Sequence, residues 1–193
     1  MKFTTLLATT LIGLIFTGCG GESSSAENFG SSQIVLGEKL YHDTNLSNNR
    51  TMSCATCHVI ENAFVDPRPT NLSLGASLGD DGVSISDRNA PTAVYAKFIP
   101  RFHFDTHEGL YIGGQFLDGR ASNLTEQAKG PFLNSVEMNM PDEASVIARV
   151  QENAEYVQAF KEIYGDDIFN NTQKAYEALA DAIAKFEKSD TFA

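Results

Sequence analysis

The chain has 193 residues, a formal charge of −11 and no tryptophan. That length supports one domain with its own core plus tails. The acidity argues against nucleic acid as a partner and against charge-driven binding to anionic membrane, and it suits a basic partner protein or plain solubility.

Met1 and Lys2 lead into an apolar run over residues 6–16. It is too short for a comfortable transmembrane span and follows a positive start, so residues 1–18 read as an export signal. Thr17-Gly18-Cys19 closes the run, and a small residue directly before cysteine resembles the bacterial lipoprotein signal box. That resemblance implies that Cys19 carries lipid at the mature N-terminus; an ordinary signal with an incidental cysteine is the alternative. Residues 19–33 are rich in Gly and Ser without an apolar pattern, which describes a flexible tether. The expected location is the periplasm, with contact to a bacterial membrane only through the lipid anchor. The domain itself is expected over residues 34–193.

Residues 34–41 form a short helix candidate interrupted by Gly37, and residues 43–50 are polar and turn-rich. Then comes Cys54-Ala55-Thr56-Cys57-His58, two cysteines two residues apart with histidine at once after them. This is the attachment signature of c-type haem: the thiols add to the two vinyl groups, and the adjacent imidazole becomes an axial iron ligand. A zinc half-site would need a second pair at ligand spacing, and the chain has none. A redox pair would sit in a strand-helix α/β pattern, which is absent around residue 54. The cysteine count agrees: Cys19 takes lipid, Cys54 and Cys57 take haem, and none is left for a disulfide.

The haem motif opens a short helix over residues 53–59. Residues 60–89 form a long irregular loop able to wrap a cofactor, with Gly75, Gly79 and Gly82 free to approach it closely. Residues 91–104 are apolar and mixed. Asn123 with Glu126 caps a helix expected to end near Gly130-Pro131. Pro141-Asp142 starts another, with Val146, Ile147 and Val150 inward. After Asn153 the apolar face resumes with Tyr156, Val157, Phe160 and Ile163, and Gly165 stops it. The last helix starts near Thr172 and carries Tyr176, Leu179, Ala180, Ile183 and Phe186. No segment shows a period-two strand of any length. The expected fold is all-α, a cytochrome c-like haem domain with long irregular loops.

Nine pieces of sequence then fall into a known order. They are Leu36-Gly37-Glu38-Lys39-Leu40-Tyr41, Leu46-Ser47, the haem motif with Ser53, Phe64-Val65-Asp66, Arg88-Asn89-Ala90-Pro91-Thr92, Asp118-Gly119-Arg120, Glu126-Gln127-Ala128, Val136-Glu137-Met138 and Ala182-Ile183-Ala184-Lys185-Phe186-Glu187. In this order they resemble the N-terminal haem domain of bacterial di-haem cytochrome c peroxidases and their MauG-like relatives. The resemblance runs from residue 34 over essentially the whole remaining chain. It implies that His58 is the proximal ligand of a peroxidatic haem and that Glu137 is the distal glutamate. It also implies that Gln127 is a distal-pocket glutamine and that Asn89 lies near a calcium ion between two haem domains. The implied partners are hydrogen peroxide, a small cytochrome or cupredoxin as electron donor and, as in MauG-like members, a protein substrate. The chemistry is consistent: peroxide cleavage needs a proton moved from one oxygen to the other, and a carboxyl in a dry pocket can do both steps.

The chain departs from the family pattern in four places. The loop over residues 73–79 lacks the removable distal histidine of many relatives, which leaves the haem open to peroxide without reductive activation. Leu117 stands where many relatives have the tryptophan associated with electron passage between haems. Residues 101–114 look like an insertion, whose His103 and His107 read as surface histidines rather than ligands. No second C-x-x-C-H follows, and the expectation is a fragment of a longer protein. The expected function is a haem c-dependent peroxidase-type oxidoreductase drawing electrons from an external donor or a second haem. The alternative is a non-catalytic mono-haem electron carrier with Met52, Met138 or Met140 as sixth ligand.

Overall fold

The computed structural model of the protein describes residues 32–68 and 75–192; Cys19, the export signal and most of the tether lie outside them. The central element is α6 (Thr172–Glu187), whose Ala175, Leu179, Ala180, Ala182 and Ile183 are almost fully buried. Its alanines keep the helix surface low, so neighbours approach closely. α1 (Gln33–His42) packs along it through Leu36, Gly37, Leu40 and Tyr41. Gly37 does not interrupt α1. It is where the two helices touch, and a Cβ there would stand 1.9 Å from the Ala182 carbonyl oxygen.

α3 (Leu124–Leu133) lies against another side of α6, and α4 (Glu143–Gln151) and α5 (Ala154–Tyr164) complete the helical body. Their starts follow from side-chain caps, which satisfy backbone donors that the first helical turn leaves open. Asn123 Oδ1 accepts from the Glu126 N–H at 3.0 Å, Asp142 Oδ1 from Ser145 at 2.7 Å and Asn153 Oδ1 from Glu155 at 2.9 Å. α5 ends at Gly165, whose φ of 103° favours glycine. Among the described residues Asn123 Nδ2 donates only to the adjacent Ser122 Oγ at 3.1 Å, so Asn123→Ala mainly removes the cap and is expected to lower stability by about 1 kcal/mol in urea unfolding, without loss of the fold.

The haem-motif helix α2 spans Cys54–Cys57. α3 continues past Gly130-Pro131 to Leu133. Pro131 has no N–H to offer the carbonyl of Gln127, but the helix ends two residues later, so little is lost. The carbonyls of Pro131 and Phe132 then accept from Met138 and Met140, at 3.2 and 2.8 Å, and fold the following turn back on the helix end.

The all-α expectation needs correction. The protein is mainly helical, but two antiparallel hairpins interrupt the loops: β1 (Ala76–Leu78) with β2 (Ile85–Asn89), and β3 (His103–Asp105) with β4 (Leu110–Ile112). β1 and β2 pair with a register irregularity between Ala76 and Leu78, which blurs any alternation. β3 and β4 fill the apparent insertion and expose most of their side chains, so no inward-outward pattern exists for a sequence to display. Ring contacts hold this hairpin: Phe102 stacks on Tyr111 with centroids 5.3 Å apart, and Phe104 meets Tyr111 edge-on at 5.2 Å. His103 and His107 are exposed, and among the described residues no group of three or more His, Cys, Asp or Glu is arranged to hold a metal ion.

Candidate haem-binding cleft

α2 is a single turn, stabilised at its start by the Ser53 N–H donating to Thr56 Oγ1 at 2.9 Å. One turn of helix brings Cys54 and Cys57 to the same side, and neither forms a disulfide. The His58 N–H closes the turn on the Cys54 carbonyl at 3.0 Å. His58 Nδ1 lies 3.0 Å from the Phe64 carbonyl oxygen, so Nδ1–H donates there and Nε2 is left as the ligating nitrogen. Burial pushes the His58 pKa down, against the opposing pull of that bond, and keeps the imidazole in the neutral form that a metal needs.

The carbonyl that orients His58 is itself held firmly. Ala63 and Phe64 both have left-handed backbones, with φ of 55° and 57°. The Phe64 ring stacks on Phe192 at 4.3 Å, and Phe192 packs edge-on against Tyr41 and Phe186 at 5.6 and 5.1 Å. His58 is thus supported from both ends of the described residues.

Above this motif lies a cleft with about 1160 Å³ of empty space, counting its open mouth. Cys54, Cys57, His58, Asn89, Gln127 and Glu137 all line it, as do Met52 and Met138, while Met140 does not. Met52, Ala93, Leu124, Ala128 and Ile183 supply apolar wall. Burial pushes the Cys54 thiol far up and the Cys57 thiol up to about 11, leaving both as neutral thiols beside the cleft. Two free thiols one turn apart, an imidazole with Nε2 available and a largely apolar cleft fit a covalently attached haem.

Glu137 sits in the turn after α3. Its carbonyl accepts from the Asp80 N–H at 2.9 Å, and the next carbonyl, of Met138, accepts from Asn48 at 2.9 Å. The turn is therefore clamped by two loops that precede it in sequence. Burial raises the Glu137 pKa; a hydrogen bond from Asn134 and the charge of Arg120 oppose the rise without cancelling it. Gln127 faces the same space from α3, and Asn89 ends β2 at the rim, exposed.

Other polar residues in or beside the cleft carry no role in the sequence reading. Arg68 donates to Asp66 through Nε and Nη2, the latter at 2.6 Å, and Nη2 also reaches Cys57 Sγ at 3.2 Å. Burial would raise the Asp66 pKa, but these hydrogen bonds outweigh it and hold the carboxyl below its usual value. Arg88 and Arg120, both in the cleft wall, share Asp118 at 3.0 and 2.9 Å. Glu187 is 7% exposed and lines the cleft from the end of α6. A signal for it existed: it lies four residues after Ile183, on the apolar stripe of the last helix.

Comparison with known proteins agrees with this arrangement. The family model described as di-haem cytochrome c peroxidase matches residues 31–192. The methylamine utilization protein MauG of Paracoccus denitrificans is 42% identical over 178 residues, which cover 92% of this chain and 46% of that protein. Cytochrome c peroxidase Ccp of Escherichia coli is 33% identical over 159 residues, covering 82% of this chain and 29% of that one. The crystal structure of the diheme peroxidase BthA from Burkholderia thailandensis superposes with a TM-score of 0.77 at 30% identity, over 83% of this chain and 39% of that one. The chain spans less than half the length of each of these relatives. The matched stretch contains every described residue of the cleft, and the chain belongs to the di-haem cytochrome c peroxidase family.

Proposed function

We propose that this chain carries one haem c, fixed through Cys54 and Cys57 with His58 as proximal ligand, and serves hydrogen peroxide reduction or peroxide-driven oxidation of another molecule. One observation carries the reading: the attachment motif, Gln127 and the half-buried Glu137 face a single cleft. The bound haem supplies the reversible one-electron chemistry of its iron and a site for peroxide. The protein supplies the rest. His58 is held in one tautomer by the Phe64 carbonyl. Glu137 takes a proton from one peroxide oxygen and returns it to the other, a task suited to a carboxyl whose pKa burial has raised. Gln127 orients peroxide without adding charge. Two electrons and two protons convert one hydrogen peroxide into two waters.

Electrons come from a small cytochrome or cupredoxin or from a second haem, and a protein is one class of substrate to oxidise. Asn89, at the rim, contributes to a calcium site completed by another domain. Residues 1–18 direct export, and Cys19 anchors the protein by lipid in the periplasm. A second reading remains specific enough to test. Met138 and Met52 also line the cleft, and a thioether on the iron would make the protein an electron carrier. The absorption spectrum of the haem-loaded chain separates the two. A high-spin ferric spectrum with peroxide-dependent oxidation of a reduced small cytochrome is expected; a low-spin His/Met spectrum without turnover selects the carrier. Substituting both Cys54 and Cys57 by Ala is expected to abolish covalent haem, read as loss of haem stain on denaturing gels.

A further inference from the structure

We propose that Glu187 is a redox-linked proton site of the haem cleft, taking up one proton when the bound haem gains one electron and releasing it on oxidation. The inference rests on haem attachment at Cys54 and Cys57 but not on peroxide turnover.

Glu187 closes α6 and lines the cleft with only 7% of its surface exposed. Its Oε2 is buried with no hydrogen-bond partner among the described residues, an arrangement costly for a carboxylate and tolerable for a carboxylic acid. The Tyr41 hydroxyl, also buried without a partner, lies in its electrostatic reach from α1. Cys54, one of the two attachment points on α2, lines the same cleft and feels the charge of Glu187, so a haem attached there would share one low-dielectric region with this carboxyl. Burial pushes the Glu187 pKa up to about 8, opposed by the charge of Lys188.

Among the described residues Lys188 is the charge that opposes the rise; α1 also brings Glu38, Lys39 and His42 alongside α6, with the His42 ring 6.0 Å from that of Phe186. On α3, Lys129 pairs with Glu126 at 3.0 Å and with Glu177, at the far end of α6. Glu143 of α4 acts on Tyr176. Asp190, in the turn Asp190–Phe192, faces Lys97 at 3.3 Å. The turn Ile168–Asn170 has no titratable side chain. Within the cleft, Glu137 is the other lining carboxyl, half-buried in the turn after α3.

The coupling follows from charge. Oxidised iron carries one more positive charge than reduced iron, which favours the carboxylate; reduction removes that charge and favours the acid. The electron comes from a one-electron donor, the proton from solvent, and the Glu187 carboxylate becomes a carboxylic acid. Oxidation reverses both transfers.

The test is spectroelectrochemical titration of the haem-loaded protein from about pH 6 to about pH 10. The wild-type midpoint is expected to fall with pH over part of that range. The limiting slope is a tenfold change in the reduction equilibrium per pH unit, about 59 mV for a one-electron couple. Glu187→Gln mimics the protonated form, so its midpoint should stay flat at the wild-type low-pH plateau. A packing role alone would displace the curve and leave its slope, and a slope retained in Glu187→Gln overturns the proposal. If that variant fails to load haem, redox-difference infrared spectra of the Glu137→Gln protein decide, because the distal carboxyl then contributes nothing. A carboxylic-acid band gained on reduction supports Glu187, and its absence overturns it.

Discussion

Replacing Glu137 by glutamine is expected to lower kcat for peroxide by about 10²–10⁴-fold with haem content and resting spectrum unchanged. The amide has the same shape and can keep its contact with Asn134, while the turn stays clamped through the backbone by Asp80 and Asn48. What it loses is the ability to accept and return a proton. The pH profile gives an independent check. Burial raises the Glu137 pKa, so the carboxylate that acts as base is lost as pH falls through a value above that of an ordinary glutamate. The wild-type rate should therefore drop on the acid side at a higher pH than 4.5, the unperturbed glutamate value, and that limb should be absent from the residual activity of Glu137→Gln. Unchanged turnover in the variant would assign the proton transfer to another group.

Gly37→Ala is the second large effect, and here two physical terms have opposite signs. In an ordinary helix the change would stabilise by about 1 kcal/mol, because alanine is the better helix former. At this position the new Cβ would meet the Ala182 carbonyl oxygen at 1.9 Å and Phe186 Cβ at 3.0 Å. The first of these is backbone in the middle of α6 and cannot swing aside. Overpacking should win, with a net loss of about 2–3 kcal/mol, measured as a lower urea midpoint of the haem-free chain. The consequence should reach the cofactor, since Tyr41 and Phe186 hold Phe192 against Phe64, whose carbonyl aligns His58. Lower haem occupancy is expected alongside lower stability.

The parts of the fold that were legible are those in which a local rule and the tertiary packing agree. Asn123 and Asp142 start helices in the sequence and in the structure because capping is satisfied within three residues, and Asn153, after which the apolar face resumes, caps α5 in the same way. The motif around Cys54 is legible because the chemistry of attachment dictates its spacing. Gly37 misled for the opposite reason. A glycine reads as a break by propensity, while its actual role is a close approach to a helix far along the chain. The hairpin β3–β4 gave no sign because its strands are short and exposed, and its cohesion comes from three aromatic rings rather than a buried face. Glu137 was reached through likeness to a family; its burial and its clamp by Asp80 and Asn48 depend on loops that no periodicity describes. Arg68 illustrates a further limit. Its bond to Cys57 bridges eleven residues of irregular chain, and such contacts leave no pattern in a sequence.

The pairing of α1 with α6 also sets an order of events. These helices stand at opposite ends of the described chain, so their contact closes a loop that includes nearly everything between them. Such long-range closure is slow and must wait until the last helix has been synthesised. Until then α1 has no partner, and the aromatic cluster behind Phe64 lacks Phe186 and Phe192. The nascent chain therefore presents Cys54 and Cys57 on a segment that has not yet been locked in place. Pairing of α6 with α1 is the step that shuts this interval.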